Sequence, residues 1–152
     1  NTLCFAPAGL DDLTEKVARI GARGIGPDLE QVLAFGVPEA ARLFADAGLC
    51  VVTLTHRSFA FATPDLAATA RERLGRTIEI AAKIGAQSII MTTGERGALR
   101  WPDAAERFAE AVAPCIEQAQ AAGIRLGIVP TSLLYADASI ALRLTDTALI
   151  AS

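Results

Sequence analysis

The side chains best suited to chemistry follow three apolar stretches of the chain, and the first stretch ends at His56. This residue, the only histidine, closes LCVVTLTH (49–56) and is followed by Arg57. An imidazole with an unperturbed pKa of about 6.5 can move a proton or bind a metal ion at neutral pH. A lone histidine without a carboxylate partner in view also fits a hydrogen-bonded structural role, so both interpretations stand at this point.

The second group follows QSIIMTTG (87–94), where Thr93 and Gly94 lead into Glu95 and then Gly97. Backbone N–H groups in a glycine-containing loop can surround a phosphate or a sugar, because glycine lets the chain approach a ligand closely. The same residues also fit an ordinary loop in which Glu95 is solvated.

The third group lies in RLGIVPTS (125–132), where an apolar strand breaks at Pro130. Strands of this kind often carry a reactive side chain at their last position, which here is Val129. Valine can neither bind a metal ion nor move a proton, so only the hydroxyl groups of Thr131 and Ser132 offer chemistry here.

The composition argues against a nucleic-acid surface and a membrane span. The formal net charge is −3 and lysine occurs only as Lys16 and Lys83, whereas phosphate binding needs clustered basic side chains. No apolar run approaches the roughly 20 residues that cross a bilayer. With 52% hydrophobic residues among 152, the chain suits one domain, residues 1–152, with a sizeable core.

The cysteines indicate a reducing compartment. Cys4, Cys50 and Cys115 are odd in number and show no C-x-x-C spacing. We therefore expect three small buried hydrophobic residues in a cytoplasmic protein, without a disulfide or a structural metal.

Strand and helix patterns alternate along the whole chain. Strands are predicted at 2–6, weakly near 24–30, at 49–56, at 87–94 and at 125–129. Helices are predicted from a capping box at Asp12 and Glu15 to Gly21 or Gly24, from Pro38 to Gly48, from Pro64 to Gly85, from Pro102 to Gly123, and from an N-cap at Asp137. The expected inward residues of the two long helices are Leu66, Ala70, Leu74, Ile78 and Ala81, then Phe108, Val112, Ile116 and Ala119.

Apolar strands joined by long helices predict an α/β protein with a parallel sheet buried on both faces. Two architectures remain open, a doubly wound open sheet and a (β/α)8 barrel of which about five units are seen. Both place ligand sites at the carboxyl ends of the strands. We therefore expect His56, Thr93, Gly94 and Thr131 to lie around one concavity.

Three segments resemble the sugar isomerase/epimerase family with a xylose isomerase-like barrel. RLGIVPTSLLYADASIALRLTD is similar to the family's fifth-strand region, GLCVVTLTHRSFAF to its third strand and loop, and AAKIGAQSIIMTTG to its third helix and fourth strand. The resemblance covers nearly the whole chain and implies a partial barrel, the first five of eight βα units.

The resemblance also identifies departures from the family. A metal-binding glutamate common in the family falls at Val129, a helix histidine at Leu142, and an acidic substrate contact near Tyr135. The family's other metal ligands lie on later strands. The resemblance therefore implies Mg²⁺ or Mn²⁺ for the complete barrel and no metal site in this chain alone.

Three functions follow, in descending order. The first is an isomerase or epimerase acting on a sugar or polyol, phosphorylated or not, as the activity of the complete protein. The second is a diverged, non-catalytic barrel that binds a small polyol. The third is an apurinic-site endonuclease, which the net charge and the single histidine disfavour. Whether this chain is itself an enzyme stays open, as does a homo-oligomer, and no catalytic residue is assigned. The candidate substrate-binding residues are His56, Arg57, Thr93, Gly94, Glu95 and Thr131.

Overall fold

The structure is a computed structural model that describes residues 8–151 of the chain. Within them the helices are α1 (Leu10–Arg19), α2 (Leu29–Phe35), α3 (Val37–Asp46), α4 (Pro64–Lys83), α5 (Trp101–Ala121) and α6 (Leu144–Ala151). The strands are β1 (Gly24–Ile25), β2 (Cys50–Val51), β3 (Leu54–Thr55), β4 (Ser88–Met91) and β5 (Arg125–Ile128). The predicted strand at 2–6 and Cys4 lie outside the described residues.

The strands pair in parallel and follow one another in chain order. β1 pairs with β2, β3 with β4, and β4 with β5. β2 and β3 belong to one extended segment, and the N–H of Gln87 donates to the carbonyl of Val51 at 3.0 Å, which joins the two groups of strands. One common doubly wound order, 3-2-1-4-5, would separate the third predicted strand from the fourth, and the other, 2-1-3-4-5, would separate the second from the third. Both of these pairs form here. The chain therefore forms a partial (β/α) barrel, and the open-sheet alternative is wrong.

Helices α4 and α5 cover one face of the strands and form most of the core with them. Leu54 and Ile89 are fully buried on that face. The ring of Phe108 meets those of Phe59 and Phe61 edge to face, with centroids 5.6 Å apart in each pair. Such edge-to-face contacts add to the stabilisation from apolar burial.

Two predicted core residues are exposed. Leu66 is 44% exposed because it lies in the first turn of α4, and Ile116 is 40% exposed because it faces a groove between α5 and α6. The other predicted inward residues of these two helices are buried.

The long helices begin and end close to the predicted residues. The Thr63 hydroxyl accepts a hydrogen bond from the N–H of Leu66 at 3.3 Å, and Pro64 is the first helical residue of α4. Gly85 and Gly123 follow α4 and α5 with φ of +68° and +70°. This conformation ends a helix at little cost only for glycine.

Two predicted helix starts are wrong. α1 begins at Leu10, and Asp12 lies inside it, paired with Lys16 at 2.6 Å. α6 begins at Leu144 and not after Asp137. Tertiary hydrogen bonds to Ser139 hold the intervening segment in a loop.

The cysteines differ from the expectation in one case. Cys115 is buried, and burial raises the pKa of its thiol. Cys50 is exposed at the start of β2 and free. Among residues 8–151, no helix is long and apolar enough to cross a membrane.

Candidate functional site

The pairing register divides the strand residues between two faces of the sheet. Leu54 pairs with Ile89 and that residue with Leu126, whereas Thr55 pairs with Ile90 and that residue with Gly127. Paired residues of parallel strands share a face. The Leu54 row packs against the helices, and the Thr55 row lies on the other face, which we call the open face.

Hydroxyl groups gather at the carboxyl end of the open face. Thr92 follows Ile90 by two residues, so it shares the open face with Thr55, and it is partly exposed. The hydroxyl oxygens of Thr55 and of nearby Thr53 are buried and make no hydrogen bond. A buried hydroxyl without a partner is costly, and a ligand hydroxyl that reached it would restore the missing bond.

His56 lies on the helix side, away from the open face. It is 5% exposed, and its Nδ1 lies 2.9 Å from the Thr77 hydroxyl on α4. That hydroxyl donates its proton to the Arg73 carbonyl at 2.9 Å. Nδ1 therefore carries a proton and donates it to Thr77, which leaves Nε2 as a buried acceptor without a partner.

The electrostatics of His56 fit a neutral structural residue. Burial, and secondarily the Arg73 guanidinium, lowers the pKa of His56 from 6.5 to about 4. A neutral imidazole that faces a helix does not contact a ligand on the open face. The prediction that His56 lies around one concavity with Thr93, Gly94 and Thr131 is therefore wrong for His56. The alternation of side chains along the strand turns its ring toward α4.

Thr93 is fully buried and its hydroxyl is used within the protein. Its Oγ1 accepts a hydrogen bond from the N–H of Ile140 at 2.9 Å and lies 3.0 Å from the Ser139 hydroxyl. Thr93 thus joins the end of β4 to the loop that follows β5. The prediction that Thr93 lines a ligand concavity is therefore wrong, because its side chain is buried on the other side of the strand.

The loop after β4 is not a cradle for an anion at Gly94. This glycine has φ of +79°, and a Cβ there would stand 2.5 Å from the Phe59 carbonyl oxygen. The close approach that glycine permits is therefore made by protein backbone. Glu95 is exposed, and Gly97 has open space around it.

Arg57 and Thr131 lie at the rim. The Arg57 Nε donates to a Glu30 carboxylate oxygen at 3.3 Å, and both side chains are more than half exposed. The N–H of Thr131 donates to the Ala141 carbonyl at 2.8 Å. The pair with Glu30 uses the Nε of Arg57, so the other N–H groups of this guanidinium can turn toward a ligand.

The side chains of residues 8–151 do not fit a divalent metal ion. Val129, where the family resemblance places a glutamate, is 36% exposed at the end of β5. In the described part of the chain, no three His, Cys, Asp or Glu side chains come together as a metal site. Hard cations need several oxygen ligands, and residues 8–151 do not bring such a set together.

Thr55 and Thr92 lie within the predicted strands 49–56 and 87–94, but the sequence did not reveal which side chains share a face. Neither Ser139 nor Glu30 stood out in it. Ser139 lies 46 positions from its partner Thr93, and no local pattern signals a contact at that separation. The charge of Glu30 at the start of α2 was visible, but its pairing with Arg57 was not.

Comparisons with known proteins agree with this architecture. Residues 14–142 match the sequence profile of a family described as xylose isomerase-like TIM barrel. A crystal structure of a protein from Sinorhizobium meliloti 1021 has a TM-score of 0.84 and 28% identity, over 94% of this chain and 54% of that one. No curated protein matches the chain.

Two further structures are similar in fold. An AP endonuclease, family 2, from Brucella melitensis has a TM-score of 0.84 and 13% identity, over 97% of this chain and 59% of that one. An L-ribulose 3-epimerase has a TM-score of 0.76 and 21% identity, over 92% of this chain and 49% of that one. The chain thus spans about half the length of the structures it matches.

Proposed function

Because the chain belongs to the xylose isomerase-like TIM barrel family, we propose that it is part of a sugar or polyol isomerase or epimerase and supplies ligand-binding hydroxyl groups. The observation that carries this proposal is the pair of buried, unpartnered hydroxyls of Thr53 and Thr55. The similarity of the fold to an L-ribulose 3-epimerase supports the same class of ligand.

The chemistry of the open face favours an uncharged polyhydroxy compound. Hydroxyl groups of a sugar can both donate to and accept from threonine hydroxyls, which suits a site that needs partners of either kind. Arg57, a cation at the rim, is already paired with Glu30. A phosphorylated substrate is less favoured, because the backbone of Phe59 occupies the space beside Gly94 in which a phosphate would lie.

The proposal is tested by titrating the chain with L-ribulose, D-fructose and xylitol while recording amide chemical shifts. We expect the amides of Thr53, Thr55 and Thr92 to shift in a saturable manner. Replacing both buried hydroxyls, in the variant Thr53→Val with Thr55→Val, should abolish the shifts. The control is Thr69→Val, which removes an exposed hydroxyl on α4 that bonds only to Asp65 of its own helix.

A non-catalytic polyol-binding protein is the second candidate, and Val129 favours it. A valine at the end of β5 provides neither a metal ligand nor a base at this position. The two candidates differ in isotope exchange. An epimerase or isomerase that transfers a proton through solvent introduces deuterium from D₂O into a C–H position of the ligand, and a binding protein does not.

The compartment and any metal ion belong to this proposal as well. A free, exposed thiol at Cys50 supports a reducing, cytoplasmic location. A divalent cation would polarise the carbonyl and hydroxyl oxygens of a sugar in a complete barrel. Its ligands would have to come from outside residues 8–151, in which no metal cluster is found.

A further inference from the structure

A cleft of about 280 Å³ lies between the first half of α4 and the facing part of α5, on the helix side of the sheet and away from the open face. Its floor is formed by Phe61, Ala67 and Ala111, which are apolar and buried. Ligand sites commonly combine such an apolar surface with a few polar groups. The polar residues that line this cleft are Thr63, Arg71, Arg107 and Glu110.

The guanidinium of Arg71 has no partner in the described part of the chain. Arg71 is partly buried, yet within residues 8–151 its side chain makes no hydrogen bond and no ion pair, and only its backbone carbonyl is engaged by a neighbouring side chain. A guanidinium presents a planar fork of N–H donors that matches two oxygen atoms of a phosphate or carboxylate group. Arg71 can therefore bind an anion without first breaking another bond.

Arg107 lines the same cleft from α5 and has most of its donors unused. Its Nη1 donates to the carbonyl of Ala62 at 3.1 Å, which holds the guanidinium beside the cleft. The other N–H groups of Arg107 can bond to a ligand. The hydroxyl oxygen of Thr63 accepts from the N–H of Leu66 at 3.3 Å, so its own proton can be donated to the same ligand.

The charges in the cleft favour an anion. Two guanidinium groups and one carboxylate give the lining a net charge of +1, whereas the whole chain has a net charge of −3. The carboxylate, Glu110, forms no ion pair with either arginine in the described residues. An anion between Arg71 and Arg107 would pair with both, and the repulsion by Glu110 would oppose its binding.

We propose that this cleft binds a small dianion, either a phosphate group or a dicarboxylate, through Arg71, Arg107 and the hydroxyl of Thr63. The cleft lies just below the range of roughly 300–1,000 Å³ that is typical of small-molecule sites, which suits a ligand of this size. The site is separate from the hydroxyl groups of the open face. The inference therefore does not depend on the proposed function.

Titrations with inorganic phosphate and with succinate test the site, at a constant ionic strength of about 0.15 M so that screening does not change. We expect saturable shifts of the amide resonances of Phe61, Ala67 and Ala111, with a Kd of about 1 mM. Uncharged xylitol should leave these resonances unchanged. A response to one anion alone supports the site and identifies the group it takes, a response to both supports the site as well, and no saturable shift with either would overturn the inference.

Variants of the charged side chains separate binding in the cleft from general attraction to the chain. Arg71→Gln and Arg107→Gln should each weaken binding about tenfold, because each removes a charge-assisted pair of hydrogen bonds. Glu110→Gln should strengthen binding about threefold, because it removes a repulsive charge. The matched control is Arg76→Gln, which removes the same charge from an exposed side chain of α4 outside the cleft and should stay within about twofold of the wild type, since solvent screens it.

Two outcomes of the variant series would overturn the inference. Equal losses of affinity in Arg71→Gln and Arg76→Gln would show that binding follows net charge and not the cleft. Unchanged or lower affinity in Glu110→Gln would show that the anion lies away from this carboxylate. Arg107→Gln also loses the bond to Ala62, so Arg71→Gln, whose side chain has no partner to lose, is the deciding variant.

Discussion

At the scale of single residues, His56 makes stability depend on pH. The unfolded chain protonates this histidine near pH 6.5, whereas the folded chain does so only near pH 4. Protons therefore bind preferentially to the unfolded chain. Stability is fully present above the unfolded pKa and decreases as the pH falls from about 6.5 toward 4.

We expect the free energy of unfolding to fall by about 2 kcal/mol between pH 7 and pH 5 because of this one group. The measurement is urea denaturation at a series of pH values. His56→Gln, which cannot titrate, is the control and should show a much flatter profile over that interval. Equal pH dependence in the two proteins would contradict the prediction.

Gly94 supports a second prediction at this scale. Gly94→Ala places a methyl group 2.5 Å from the Phe59 carbonyl oxygen in a residue with φ of +79°. We expect a loss of roughly 3 kcal/mol, because backbone strain and a backbone clash act together.

The control is Gly97→Ala in the same loop. Gly97 also has a positive φ, +57°, but no atom lies within 4 Å of the place that a Cβ would occupy. It should lose only about 1 kcal/mol, the cost of the left-handed conformation. Thermal or urea denaturation measures both values, and equal losses would show that the contact with Phe59 is not limiting.

The sequence could not predict toward which face of the sheet the side chains of Thr55 and His56 point. In LCVVTLTH apolar residues occur at both odd and even positions, so period-two alternation of apolar residues does not identify the buried face of the strand. β2 and β3 are also separated at Val52 and Thr53. A single such interruption exchanges the faces of all later residues of the strand.

At the scale of elements, β5 carries the prediction on metal binding. A single oxygen ligand is a poor site for a hard cation. We expect the chain to bind Mg²⁺ or Mn²⁺ no more tightly than millimolar, and Val129→Glu to change this little. Isothermal titration calorimetry measures both, and micromolar affinity in the unmodified chain would contradict the prediction.

The helix boundaries show which local sequence signals suffice to predict where a helix begins. Thr63 and Pro64 together predicted the start of α4, because the cap and the fixed φ of proline agree. Asp12 and Asp137 are equally common capping residues, yet neither begins a helix. The bonds of Thr93 to Ser139 and Ile140 hold the segment after Asp137 in a loop, and they join residues far apart in the sequence.

At the scale of the whole molecule, the alternation of strands and helices correctly predicted the parallel order of the sheet. It left the choice between a barrel and an open sheet undecided, because both architectures use the same βα units. The pairing of β1 with β2 and the pairing of β3 with β4 together decide it. That pairing depends on how helices stack against strands, a property of the assembled chain and not of any one segment.

β5 leaves an unpaired edge in the described part of the molecule. The N–H of Arg125 donates to the carbonyl of Gln87, just before β4, at 3.2 Å, and that of Val129 donates to the carbonyl of Met91 at 2.9 Å. Those of Leu126 and Ile128 therefore face the other way, where no described strand pairs with them. Unpaired strand edges are templates for association with another chain.

An apolar groove of about 710 Å³ lies beside this edge, between α5, β5 and α6. Its lining includes Met91, Val112, Ile116 and Leu126. Of these, Ile116 is 40% exposed, and burying an exposed side chain of this size stabilises an interface by roughly 1.5–3 kcal/mol. The groove and the edge together provide the apolar surface and the hydrogen-bonding groups of a self-complementary interface.

We therefore expect the 152-residue chain to associate with a second copy at tens of micromolar through β5 and this groove. Light scattering measures the mass in solution. Ile116→Lys introduces a charge into the groove and should shift the chain toward monomer. Ile20→Lys replaces an exposed isoleucine just after α1, away from the groove, and should leave the association intact. A soluble, cooperatively unfolding monomer at these concentrations would contradict the prediction, because it would mean that the open edge and the groove are tolerated in water.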